Sequence, residues 1–123
     1  KIHYLSNIAV DFSANIENQI KAYENKIIEA INTNDYKKVE PVLYKDSSLY
    51  NEQKAVVKNL SKNGIKEKLV NFEIYAMGYL NNTDEVKVYV LEDISIKYPS
   101  KKNYETNKYS WCYTSNDIDK HRI

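Results

Sequence analysis

The chain has 123 residues, 42% hydrophobic and 28% charged, which is enough for one folded core and argues against intrinsic disorder. Its 18 basic and 17 acidic side chains leave a net charge of +1, so no global field exists to hold nucleic acid or an anionic membrane. The lone Cys112 excludes an internal disulfide, Cys112 with His3 and His121 is too small a set for a typical zinc site, and no apolar run reaches the ~20 residues that span a bilayer.

Residues 1–11 show no sustained period and are expected to be a lead-in or linker to a single domain over 12–123. The chain starts at Lys1, not Met, which suggests a fragment or processed product whose export signal or anchor lies elsewhere. Asp11 and Ser13 offer N-cap chemistry. Ile16, Ile20, Tyr23, Ile27, Ala30 and Ile31 then follow at helical spacing, with polar residues opposite, and predict an amphipathic helix ending near 32–35.

Asp35 is placed to cap a short helical segment through Tyr36, Val39 and Leu43, which Pro41 limits. Asp46, Ser47 and Ser48 precede a further helix with an inward stripe of Leu49, Gln53, Val56, Val57 and Leu60, closed by Asn63 and Gly64. Near position 70 the period changes to two. Phe72, Ile74, Ala76, Gly78 and Leu80 alternate with Glu73, Tyr75, Met77 and Tyr79 in a first strand, 72–80. A long strand over 86–98 carries Val86, Val88, Val90, Ile94 and Ile96 on one face, interrupted by Glu92. A third strand, 104–114, places Tyr109, Trp111 and Tyr113 on one face and Cys112 on the other as a small buried side chain; residues 119–123 can begin a fourth.

Helices followed by an antiparallel meander make an α+β fold. A strand of ~13 residues exceeds the usual five or six, and a strand that long normally bends. The expected architecture is therefore N-terminal helices packed on a strongly bent antiparallel sheet of about four strands, forming a cone or cleft.

This order is similar to the cone-shaped nuclear transport factor two-like superfamily. The stretches "EAINTNDYKKVEPVL", "DSSLYNEQKAVVKNL" and "NGIKEKL" between Ile20 and Leu69 resemble, more specifically, the extracytoplasmic C-terminal domain of zinc-ribbon membrane proteins of the teicoplanin-resistance-associated TcaA type from Gram-positive bacteria. The resemblance covers residues 12–98 and the remainder by topology. It is carried by core and capping positions rather than a catalytic signature. It implies a location on the extracytoplasmic side of the membrane, anchored through a segment absent from this chain, and it implies no catalytic residues or cofactor.

The candidate ligand-binding residues are Glu92, Tyr75, Tyr79, Tyr89, Tyr109, Trp111 and Tyr113. Glu92 faces the cleft if the strand alternation holds, where a raised pKa suits an acid or base; a β-bulge at 91–93 would instead turn it to solvent. Tyr75, Tyr79 and Tyr89 are possible hydroxyl donors beside Glu92 or Asp93. Tyr109, Trp111 and Tyr113 form an aromatic platform for a sugar or peptide, or else cover the core. Lys54, Lys58 and Lys62 repeat at i, i+4 as a basic ridge that can meet an anionic polymer or be a solvated helix face. The chain offers no nucleophile–base set.

Three readings follow. The first is a non-catalytic extracytoplasmic binding or sensing domain of a membrane-anchored envelope protein, recognising a cell-wall component or partner protein. The second is a small-molecule enzyme of isomerase or dehydratase type with a carboxylate in the cone cavity. The third is a homodimerisation module through an outer sheet face of Tyr75, Met77, Tyr79, Tyr89 and Trp111.

Overall fold

The computed structural model describes residues 1–117. Helix α1 spans Val10–Thr33, and the six positions of its expected stripe are all buried. It starts earlier than Asp11 and Ser13 suggest. Ala9 is the N-cap and offers no side-chain bond. The Ser13 hydroxyl is instead buried and pairs with the Tyr4 hydroxyl at 2.6 Å, while the Ser13 N–H donates to the Ala9 carbonyl. The helix ends at Asn34, which takes φ 54° and ψ 44° and turns its N–H back onto the Ala30 and Ile31 carbonyls.

Two 3-10 turns, Tyr36–Lys38 and Glu40–Val42, stand where a short helix was expected. Asp35 caps the first by accepting from the Lys37 N–H, and Pro41 opens the second. Both turns serve to bury Val39 and Leu43. Helix α2 spans Ser48–Lys62 and is capped by Ser47, whose hydroxyl accepts from the Tyr50 N–H at 3.1 Å. Its buried positions are Leu49, Tyr50 and Val57. Val56, expected inside, is exposed. Tyr50 rotates the stripe because its ring meets Tyr36 edge-on at 5.4 Å and its hydroxyl donates to Glu40 at 2.5 Å.

The sheet has the order β1 (His3–Tyr4), β2 (Lys66–Tyr79), β3 (Val86–Lys97), β4 (Glu105–Thr114). The pairs β2–β3 and β3–β4 are antiparallel as expected. The pair β1–β2 is parallel, so the sheet is mixed and the first residues of the chain supply an edge strand. The strand expected at 119–123 lies outside the described residues.

β2 begins six residues earlier than the period-two pattern suggests, and it carries two bulges, at Val70 and Tyr75. The second moves Met77 onto the inner face opposite Val88, where it is fully buried. The expected outer-face patch thereby loses Met77. β3 pairs without a break, so the inversion considered at 91–93 belongs to its neighbour instead. Cys112 is exposed, not buried, because its side of β4 faces away from the helices.

The core lies between α1, α2 and the inner sheet face, and includes Ile20, Tyr23, Ile27, Val57, Met77, Val86, Val88, Val90 and Tyr113. Both ends of α1 are tied to β2. Asn32 donates to the Glu67 carbonyl and accepts from the Glu67 N–H, each at 2.8 Å. At the other end the Tyr4–Ser13 pair joins α1 to β1, which is hydrogen-bonded along β2.

Candidate functional site

The inner face of β3 runs Val86, Val88, Val90, Glu92, Ile94, Ile96, all buried. The first three belong to the main core, and Ile94 and Ile96 lie outside it, so Glu92 marks where the continuous apolar packing stops. Opposite it on β4 is Tyr109, with Trp111 and Tyr113 following on the same face against Val90 and Val88. The aromatic platform therefore exists, and it is graded. Tyr113 is in the core, Tyr109 is half-buried and Trp111 is 45% exposed. Tyr109 and Trp111 stack at 5.8 Å with 26° between their planes. The Trp111 indole Nε1–H donates to Glu92 Oε1.

A second carboxyl reaches the same point from α1. Glu24 follows Tyr23 on the buried stripe and is 0% exposed. Neither of its oxygens has a hydrogen-bond partner of good geometry. Burial, then the nearby Glu92 carboxyl, pushes its pKa up from 4.5 to about 10, and Tyr113 offsets only part of this. Glu24 therefore holds its proton at neutral pH beside Glu92, which accepts from the indole. Tyr23 and Tyr113 meet edge-on at 5.3 Å beside this pair. Burial, followed by Glu24 for Tyr23 and by Tyr23 for Tyr113, raises both phenols well above their usual range.

Glu67, on the inner face of β2 opposite Ile96, is the third acid. Burial, and then Glu92, raise it to about 6. Burial, and then Glu67, raise the Tyr109 phenol as well. Among the described residues no ion pair involves Glu24, Glu67 or Glu92; the nearby Lys108 is bonded to Asp93 on the outer face at 3.0 Å. No group of three acids, histidines or cysteines among the described residues is arranged to hold a metal ion.

The other expected residues go elsewhere. Tyr89 faces outward, and Tyr75, displaced by the bulge, has its ring 6.0 Å from that of Tyr89. Tyr79 pairs with Val86, about 20 Å along the strand from Glu92. None of the three supplies a hydroxyl beside the carboxyl. Trp111 is on the inner face, so the proposed outer dimer patch loses it as well as Met77. Lys54, Lys58 and Lys62 are all exposed along α2, away from the acids. A groove of about 600 Å³ opens instead between α1 and the start of the chain, lined by Lys1, Ile2, Tyr4, Glu17, Lys21 and Phe72 among others, without Glu92.

Glu24 and Glu67 were not among the residues singled out from the sequence. The signal for Glu24 was its position, four after Ile20 and three before Ile27, inside the apolar stripe. Glu67 alternates with Leu69, a pattern visible only once β2 is extended back to Lys66.

Comparison with known proteins fits this architecture. Residues 12–120 match the family described as the TcaA protein NTF2-like domain. The chain is 30% identical over 93 residues to a Bacillus subtilis (strain 168) protein named "uncharacterized membrane protein YvbJ". That alignment covers 76% of this chain and 15% of the relative, so the chain corresponds to a small part of the longer protein. No helix among the described residues is long and apolar enough to cross a membrane.

Proposed function

We propose that this chain, which belongs to the family of TcaA protein NTF2-like domains, is a non-catalytic binding domain held outside the membrane by a longer envelope protein, where it recognises a cell-wall component or a partner protein. The similarity to a membrane protein supports attachment to a membrane. The observation that carries the binding role is the exposed Trp111, stacked on Tyr109 and hydrogen-bonded to the inward-facing Glu92. A half-exposed indole locked by its own N–H is a preorganised contact surface, since little side-chain freedom remains to be lost on binding.

An acid at this point favours the alternative of a cone-cavity enzyme. The space beside Glu92, however, is occupied by Glu24, Tyr23 and Tyr113, and the 600 Å³ groove reaches the cross-strand partner Phe72 but is not lined by Glu92 itself. The test is an NMR titration of the purified chain with muropeptides, sacculus fragments and envelope polymers. The expected result is a set of shifts centred on β4 and the Trp111 indole. Absence of any shift at millimolar ligand would refute the reading.

A further inference from the structure

On the side away from β3, the edge of β2 is covered unevenly. At Ala76 and Met77 it is paired with β1. Just beyond, the Leu5 N–H donates to the Met77 carbonyl at 2.8 Å and the Tyr79 N–H donates to the Ser6 hydroxyl at 3.0 Å. At Glu67 the Asn32 side chain takes the place of a neighbouring strand, since it donates to the carbonyl and accepts from the N–H of that one residue. Between these two ties, from Leu69 to Ile74, no backbone or side-chain group of the described residues bonds this edge. Within the gap Asn71–Ile74 are held by β3 in unbroken register, between the bulges at Val70 and Tyr75. A free edge presents N–H and C=O groups at strand spacing, and another extended polypeptide is the chemistry that matches it.

The groove of about 600 Å³ adjoins the same stretch. Phe72 and Ile74 of the gap line it together with Ile2, and Glu17 and Lys21 line it from α1. A strand laid along the edge sends every second side chain to the inner face, where Phe72 and Ile74 lie. Glu17 and Lys21 are one turn apart but form no ion pair with each other or with any other described residue. With Lys1 also in the lining, the groove carries two ammonium groups to one carboxylate. We propose that Leu69–Ile74 is a strand-addition site. It takes an extended peptide of a partner protein as a further strand beside β2, with an apolar side chain against Ile2, Phe72 and Ile74 and an acidic one two residues away beside Lys21. The site lies at the other side of the sheet from β4 and Trp111, so it stands independently of the binding face there.

The probe is the acetylated and amidated peptide Thr-Val-Thr-Glu-Thr, titrated into the purified chain and followed through its backbone amide resonances. The expected result is a saturable set of shifts at Leu69–Ile74, with slower hydrogen exchange there, at millimolar peptide or below. Two counterparts carry N-methyl groups on alternate residues, so that one of them loses the donors facing β2. That one should bind at least about tenfold more weakly than the other. Replacing the peptide's Glu by Lys should weaken binding about threefold or more. Lys21→Glu, at an exposed helix position outside the core, should reverse that preference.

No shift at about 10 mM peptide overturns the proposal, as does equal binding of the two N-methylated forms. Shifts confined to the opposite edge, at Glu105–Thr114, overturn it too. Self-association of the chain with shifts on the β2 edge would assign that edge to a second copy and overturn the peptide as its occupant.

Discussion

Glu24 illustrates how one residue trades stability for a polar interior. Its pKa is raised in the folded state, so the folded chain keeps a proton that the unfolded chain releases above about pH 4.5. The folded state is then penalised progressively from about pH 4.5 up to about 10. Glu67, raised to about 6 by burial and by Glu92, acts in the same direction over a narrower window. Urea unfolding should therefore show the chain more stable at pH 5 than at pH 8. Glu24→Gln should flatten that dependence and gain about 2–3 kcal/mol at pH 8. A variant that loses stability at pH 8 would show that the acid is doing something an amide cannot. Trp111→Phe keeps the stack on Tyr109 but removes the donor to Glu92, and should cost about 1–2 kcal/mol in the same assay.

At the scale of the elements, caps and bulges set the boundaries. Ser47→Ala removes the side-chain acceptor for the Tyr50 N–H and should destabilise by about 1 kcal/mol. Gly64 follows α2 at φ +71°, and an added Cβ would meet Pro99 Cγ at 2.9 Å. Gly64→Ala should thus cost more than the ~1 kcal/mol of backbone strain alone, measured by thermal unfolding. The strands show which patterns are legible. β3 has an unbroken alternation and its apolar face was readable almost residue for residue, while the direction of Glu92 stayed open until the pairing excluded a bulge in β3. β2 has the same chemistry, but each bulge shifts the phase by one, so a simple count put Met77 on the wrong face. Nothing local distinguishes Tyr75 as a bulge, because the register is set by pairing with a strand that follows ten or more residues later.

The whole molecule is held by a few long-range ties. Asn32 fastens the end of α1 to the start of β2 through both the NH2 and the oxygen of its side-chain amide. Asn32→Ala should lower stability by about 2 kcal/mol, more than loss of an exposed cap, as read from the urea midpoint. Asp117 links the end of β4 to the start of α2, its carbonyl accepting from the Tyr44 N–H and its carboxylate from the Leu49 N–H. Met77 and Trp111 are directed inward, which removes two of the five residues expected in an outer dimer patch, and sedimentation at two concentrations is expected to give a single, unchanged species.

Helix and strand types, most element boundaries and the α+β class follow from periodicity, because the burial of one face imposes a repeat on the chain itself. The family resemblance was visible in the capping and core positions for the same reason. The site was only half present in that record. Glu92 and the aromatic strand could be named from alternation, but their meeting with Glu24 and Glu67 depends on how α1 lies across β2 and on two bulges. Those are set by contacts between separate elements, 35 residues apart for Asn32 and Glu67, and no local pattern carries that information.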